Sequence, residues 1–319
     1  MPWCVLKWCE FRAFSASVPI LRGIMPFPCQ IPKALQPGDG ILLAAPARFV
    51  TSEQVAAAEA HVRAAGYTPI VYDGLLERSG QFGGSDAHRA NYLNAGFADA
   101  QVRAIWAMRG GYGCGRLLPL LDAEAFAADP TWLVGFSDIT ALHGWAQVQG
   151  IASLHAPVAS TYGQASESIQ RGMWEALEQR EDGRETEDAA VVGGNLSVLY
   201  SLLGTPYLPP IDGAWLLLED LDEYLYHVDR MLLAFRLAGV FDRVRGVLVG
   251  GFTDLHDNTI ADGQAVENPF GHDVRQMLVD HVPAETPVVH GVPVGHLAEN
   301  ESVILGVASA KSVHWTRGF

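Results

Sequence analysis

Trp132-Leu133-Val134-Gly135-Phe136-Ser137-Asp138-Ile139 is the stretch from which the fold of this chain is read. Residues 132–135 are a short apolar run, and Ile139, Leu142 and Trp145 then recur at helical spacing. A buried strand therefore turns into a helix across Ser137-Asp138. The same pattern repeats upstream. Residues 104–108 are apolar and end in the turn Arg109-Gly110-Gly111-Tyr112-Gly113, after which a helix is expected through Leu117, Leu118 and Leu121. Residues 41–45 form another run, closed by Pro46, and Thr51-Ser52-Glu53-Gln54 reads as a capping box. The helix it opens carries Val55, Ala58 and Val62 on one face and stops at Gly66, before a strand at 69–72. Strand and helix alternating at this spacing predict an α/β domain with a mostly parallel sheet.

The texture changes after residues 178–188, which are charge-dense and free of apolar side chains, as a surface linker is. Strand-like runs follow at 214–218, 246–250 and 302–307, with one helix carrying Leu225, Val228, Leu232 and Phe235 and ending at Gly239. We expect an α/β domain over 25–175, a linker over 176–190 and a smaller β-rich domain over 191–319. Residues 1–24 show no periodicity, and Arg22 interrupts the one apolar stretch, 17–25, that a secretory signal would need. They are expected to be an extension, disordered or a misassigned start, ahead of Met25.

Composition narrows the function classes. Of 319 residues 49% are hydrophobic and 18% charged, which is the balance of a chain that buries a core. The net charge is −15, with Lys7, Lys33 and Lys311 the only lysines. Such a surface repels phosphate backbones and acidic headgroups, so no nucleic-acid or membrane partner is expected. The charge-free apolar candidate, 189–211, is broken by glycines and prolines and does not read as a membrane span. Cys4, Cys9 and Cys29 lie near the start and Cys114 stands alone, without a CxxC pair, so neither a zinc site nor a disulfide framework is signalled.

Three segments offer chemistry. Ser137, at a strand-to-helix turn, sits where ligands bind in open α/β folds, and the helix start supplies N–H groups to an oxyanion. The setting resembles a nucleophile elbow, although Ile139 stands where G-x-S-x-G ends in glycine; the competing reading is a helix-capping serine. The Arg109–Gly113 turn brings backbone close to a ligand or simply turns the chain, and it matches neither GxGxxG nor a Walker loop. Cys114 lacks elbow flanks and reads as a small buried thiol. A hydroxyl nucleophile needs a base and an orienting carboxylate. His296, in Val294-Gly295-His296, and the strand-end pair Glu219-Asp220 are available, in the order Ser…Glu…His known for some triads. His143, His155, His227 and His290 have no metal-ligand spacing. No metal or cofactor is called for.

Together these motifs resemble the LD-carboxypeptidase family, serine peptidases of family S66 that trim murein tetrapeptides. The likeness runs from about Gly38 to the C-terminus. It rests on Pro37-Gly38-Asp39 leading to Ala45-Pro46; Gly84-Ser85-Asp86 with Arg89; Ala107–Gly113 with Arg116-Leu117-Leu118; Gly135-Phe136-Ser137-Asp138; and Gly193-Gly194-Asn195-Leu196 with Gly204-Thr205-Pro206. Leu218-Glu219-Asp220, Arg230-Met231-Leu232 and Gly295-His296 continue it. The resemblance implies a Rossmann-like α/β domain joined to a smaller β-rich domain, with the site assembled across their interface. It makes Ser137 the nucleophile, Glu219 the orienter and His296 the base, with N–H groups of Gly110, Gly111 and Asp138 as the oxyanion hole. Arg109 and Tyr112 become candidates for substrate contact. It further implies removal of D-alanine from a murein tetrapeptide in cytoplasmic peptidoglycan recycling, by a homodimer without metal or cofactor. The chain departs from the family where Pro46 is followed by Ala47-Arg48 instead of serine. Two alternatives stand: a related branch that cleaves peptidyl–nucleotide antibiotic conjugates for self-immunity, and a non-catalytic peptide- or sugar-binding protein in which Ser137 only caps a helix.

Overall fold

Five residues buried along their whole length, Gly40–Ala44, form β1, the doubly covered strand type of a parallel sheet. The computed structural model describes residues 29–179, 189–308 and 315. The expected extension at 1–24 and most of the expected linker lie outside the described residues. β1 pairs on one side with β2 (Thr68–Ile70) and on the other with β3 (Val102–Ala107), beyond which lie β4 (Trp132–Gly135) and β5 (Ser153–His155), all parallel. The capping box forms as read: Gln54 N–H donates to Thr51 Oγ1 at 3.3 Å, and Thr51 N–H to Gln54 Oε1 at 3.0 Å, opening the helix Ser52–Ala64. The helix expected after the glycine-rich turn is instead two 3-10 turns, Cys114–Arg116 and Leu118–Leu120. Pro119 explains this, because it has no N–H to donate and disfavours helical backbone at Leu118.

A second sheet holds β6 (Val191–Asn195), β7 (Trp215–Leu221), β8 (Gly246–Thr253) and β9 (Val288–His290), again parallel and in that order. Parallel neighbours need crossovers. The helices Leu196–Leu202, Leu225–Leu237 and Val274–His281 supply them, more helix than the β-rich reading expects. Alternation along β7 divides its side chains between two cores. Leu216 and Leu218 pack with Val228, Leu232 and Phe235, whereas Trp215 and Leu217 pack with Val303 and Leu305.

Those last two belong to β10 (Val303–Leu305), which the sequence reading assigned to the second unit. It pairs instead with β5, antiparallel, as the edge of the first sheet. The reason is again alternation: Ile304 faces the core of the first sheet while Val303 and Leu305 face that of the second. β10 therefore clasps the two layers, and the segments leaving the carboxyl ends of β3, β4 and β7 meet at one cleft.

Arg89, on the helix Asp86–Ala98, braces two of the loops nearby. Only 2% exposed, it donates to the carbonyls of Pro46 and Gly113 and pairs with Asp86, which also binds Arg116 at 2.7 Å. It thus ties the loop after β1 to the turn after β3. Arg89→Met keeps apolar volume but strands the buried Pro46 carbonyl and takes a cation from Asp86, and we expect it to cost about 2–3 kcal/mol. A lower denaturant midpoint at unchanged slope is the readout; a shift worth under about 0.5 kcal/mol would mean the two loops hold each other without it.

Candidate active site

Ser137 follows β4 in a backbone conformation that few residues adopt. Its φ is +64°, left-handed, which costs a residue with a Cβ about 1–2 kcal/mol. The cap position of the following turn belongs to Phe136, extended at φ −149°, and no side-chain cap bond forms. Ser137 is therefore not a capping serine. Its hydroxyl makes no hydrogen bond among the described residues and lines the cleft.

Neighbouring groups hold that turn. Gly110 packs directly on it, since a Cβ there would lie 3.0 Å from Ser137 Cβ and 3.1 Å from Oγ. Asp138 accepts the Cys114 N–H at 2.8 Å, joining the serine turn to the glycine-rich turn. Burial raises the Asp138 carboxyl above its ordinary range. Behind the turn, His143 Nε2 bonds the Gly135 carbonyl at 2.9 Å and Nδ1 bonds Ser153 Oγ at 2.9 Å. Full burial lowers this imidazole to about 4, so it is neutral and structural. Burial also pushes the Cys114 thiol well up, which leaves little thiolate to react.

The second layer contributes an imidazole–carboxylate pair. His296 Nδ1 and Glu219 Oε2 are 2.7 Å apart, with the Glu219 side chain 0% exposed and that of His296 14%. Donation from Nδ1–H to the carboxylate leaves the Nε2 lone pair free to accept a proton. The Phe136 ring packs beside His296 at 4.7 Å between centroids. Two glycines make room for Glu219: a Cβ on Gly295, at φ +103°, would stand 2.6 Å from Glu219 Cβ, and one on Gly250 3.2 Å from it. Asn300 Oδ1 accepts the Gly295 N–H at 2.8 Å and so fixes the turn that carries His296.

Asp220 has a different task. Its carboxylate accepts from Asn195 Nδ2 at 2.8 Å and from the N–H groups of Ser197 and Leu221, each at 2.9 Å. It thereby anchors the start of the helix Leu196–Leu202. Burial, and then the neighbouring Glu219 charge, push Asp220 up to about 7.

Ser137, His296, Arg109, Gly110 and Gly111 all border one cleft of about 460 Å³ between the layers. No hydrogen bond joins Ser137 to His296 among the described contacts, as is common before substrate tightens such a site. Tyr112 does not border the cleft: it is 53% exposed and its ring packs on Phe82 at 6.0 Å. Three residues that matter here were given no role by the sequence reading. Asn195 and Asn300 carry no motif of their own chemistry, and Arg48 entered only as a departure from a pattern. What the assembly offers chemically is a half-buried hydroxyl on a strained turn, an oriented imidazole, and backbone N–H groups nearby.

Family models of the LD-carboxypeptidase N-terminal and C-terminal domains match residues 41–156 and 188–310. A putative carboxypeptidase of Streptomyces coelicolor is 33% identical over 86% of this chain and 91% of its own. Among solved structures, the muramoyltetrapeptide carboxypeptidase of Oxalobacter formigenes is 27% identical, with a TM-score of 0.72 over 84% of this chain and 92% of that one. The microcin C7 self-immunity protein shares the fold at 19% identity, with a TM-score of 0.72 over 87% of this chain and 94% of that one.

Gly295→Ala should break the pair that Gly295 makes room for. The added methyl meets Glu219 at a left-handed backbone position, and we expect a stability loss of about 3 kcal/mol. The strongly deshielded Nδ1–H proton expected of His296 in NMR should vanish with it. A surviving resonance at full stability would refute the close approach.

Proposed function

The chain belongs to the LD-carboxypeptidase family, and from that premise we propose that it is a serine carboxypeptidase removing the terminal D-alanine from murein tetrapeptides. The observation that carries this reading is Ser137 at φ +64° on the same cleft as the Glu219–His296 pair. A strained serine with a free hydroxyl is of use to a nucleophile and of none to a helix cap.

In this mechanism Ser137 Oγ attacks the carbonyl that precedes D-alanine, and His296 Nε2 accepts the hydroxyl proton. Glu219 keeps the imidazole in the Nδ1–H tautomer and stabilises the cation that forms. The oxyanion is received by backbone N–H groups of Asp138 and the Gly110-Gly111 turn, donors typically worth about 3 kcal/mol each. His296 then passes its proton to the leaving amine, and water, activated by the same imidazole, hydrolyses the acyl-enzyme. Action in the cytoplasm, as a homodimer, belongs to the same reading. The shared fold of the self-immunity protein gives weight to one rival, cleavage of a peptidyl–nucleotide conjugate on the same residues.

Incubation with a tetrapeptide ending in D-alanine, followed by mass spectrometry, tests the proposal: loss of one alanine is expected. Release of nucleotide from a peptidyl–nucleotide conjugate with the tetrapeptide left intact would move the assignment to the rival branch. A fluorophosphonate should label Ser137. Ser137→Ala should abolish turnover in a folded protein, while Cys114→Ala keeps most of it; the reverse outcome would make the enzyme a cysteine amidase.

Glu219 and Asp220 should separate by their effects. Glu219→Gln offers an NH₂ group to the imidazole and favours the wrong tautomer, so kcat should fall at least about 10²-fold. Asp220→Asn leaves an N–H of the Leu196–Leu202 helix start without its acceptor and should cost about 1–2 kcal/mol of stability with a much smaller loss of kcat. If Asp220→Asn is the more crippled in turnover while both stay folded, Asp220 replaces Glu219 as the orienter.

A further inference from the structure

Two guanidinium groups border the cleft without a use in the steps above. Several arginines elsewhere are ion-paired, as Arg103 is with Asp129 and Arg243 with Asp212. Neither Arg48 nor Arg109 makes an ion pair or hydrogen bond among the described residues, and both open onto the cleft that holds Ser137. In a chain of net charge −15, two unpaired cations at such a place are a standing attraction for an anion.

Arg48 is also placed with some accuracy. Its backbone bridges Phe82, and its side chain lies across Gly111 so closely that a Cβ there would be 2.6 Å from Arg48 Cδ and 2.7 Å from Nε. Gly110, the preceding residue, is the one packed on Ser137. Arg48 therefore crosses the turn one residue, roughly 4 Å, beyond the point of contact with the nucleophile. A leaving group of one amino acid carries its carboxylate carbon roughly 3–4 Å from the scissile carbonyl carbon, a matching span. The other wall of the cleft carries the carboxylates of Asp222 and Glu223, which disfavour a further carboxylate there. The Asp138 carboxylate, which feels the Arg48 charge, accepts the Cys114 N–H.

We propose that Arg48, with Arg109 on the adjoining turn, binds the α-carboxylate of the departing residue and so makes the site select a free C-terminus. This rests on the carboxypeptidase reading and adds its specificity determinant. A planar guanidinium meets a carboxylate through paired N–H donors, which a neutral carboxamide end cannot match.

The test uses a tetrapeptide ending in D-alanine and the same peptide ending in D-alaninamide. The wild-type protein should prefer the acid by about 10²-fold in kcat/KM. Arg48→Gln should lower that preference at least about tenfold, chiefly through KM, and Arg48→Lys should retain part of it. Arg48 is exposed, so both variants should fold, and continued fluorophosphonate labelling of Ser137 in each would show the nucleophile intact. An unchanged acid-to-amide ratio in Arg48→Gln, or a wild-type protein that cleaves both peptides equally, overturns the proposal while leaving the carboxypeptidase reading in place. A wild-type protein that cleaves neither peptide removes that reading, and the role of Arg48 with it.

Discussion

A carboxylate with no solvent contact is costly unless a partner meets it, and Glu219 is such a group. Its partner, His296, lies on a different segment of the same layer, so the 2.7 Å bond between them sets what the surrounding chain must do. Gly250 and Gly295 give up their side chains to admit Glu219, and Asn300 holds the Gly295 N–H so that the imidazole cannot swing away. Phe136, the residue before the serine, closes over the imidazole from the first layer. The pair therefore couples the register of the two layers to the orientation of one ring.

The two sheets are kept in that relation by β10, whose alternate side chains enter both cores. Asn195 makes the same connection with polar groups. Its N–H donates to Thr140 Oγ1 at 3.0 Å in the first layer, while its amide donates to Asp220 in the second. Adjacent carboxylates thus divide the work: Glu219 orients the imidazole and Asp220 secures the junction beneath it. The division follows from the end of β7, where the register against β8 shifts between Leu218 and Asp220 and sends neighbouring side chains to different partners.

Electrostatic placement completes the cleft. His143 and His155 are fully buried and driven toward the neutral form by desolvation. Cationic side chains enter from the loops after β1 and β3, and carboxylates from the segment after β7, which gives the cleft a polarity along its width. No helix among the described residues is long and apolar enough to cross a membrane.

Local signals were legible from the residues alone. The Thr51–Gln54 box, the apolar run at 132–135 with its turn at Ser137, and the Leu225–Leu237 helix with Gly239 beyond it each depend on interactions within a few positions, which spacing and residue type encode. The motifs carrying Ser137, Glu219 and His296 were readable for the same reason. Where the reading failed locally, a single residue was underweighted: Pro119 prevents the helix expected after the glycine-rich turn. Long-range choices were not legible. A short apolar run such as 303–305 fits either sheet, and only the packing of Ile304 against one core and Val303 against the other decides between them. Which of Glu219 and Asp220 faces His296, that Tyr112 turns out toward Phe82, and that Arg48 crosses Gly111 beside the serine are facts of side chains many residues apart in sequence. The sequence by itself determined the elements and the chemistry they carry. Their meeting was decided by tertiary structure, because partners and distances arise only when separate faces are buried against one another.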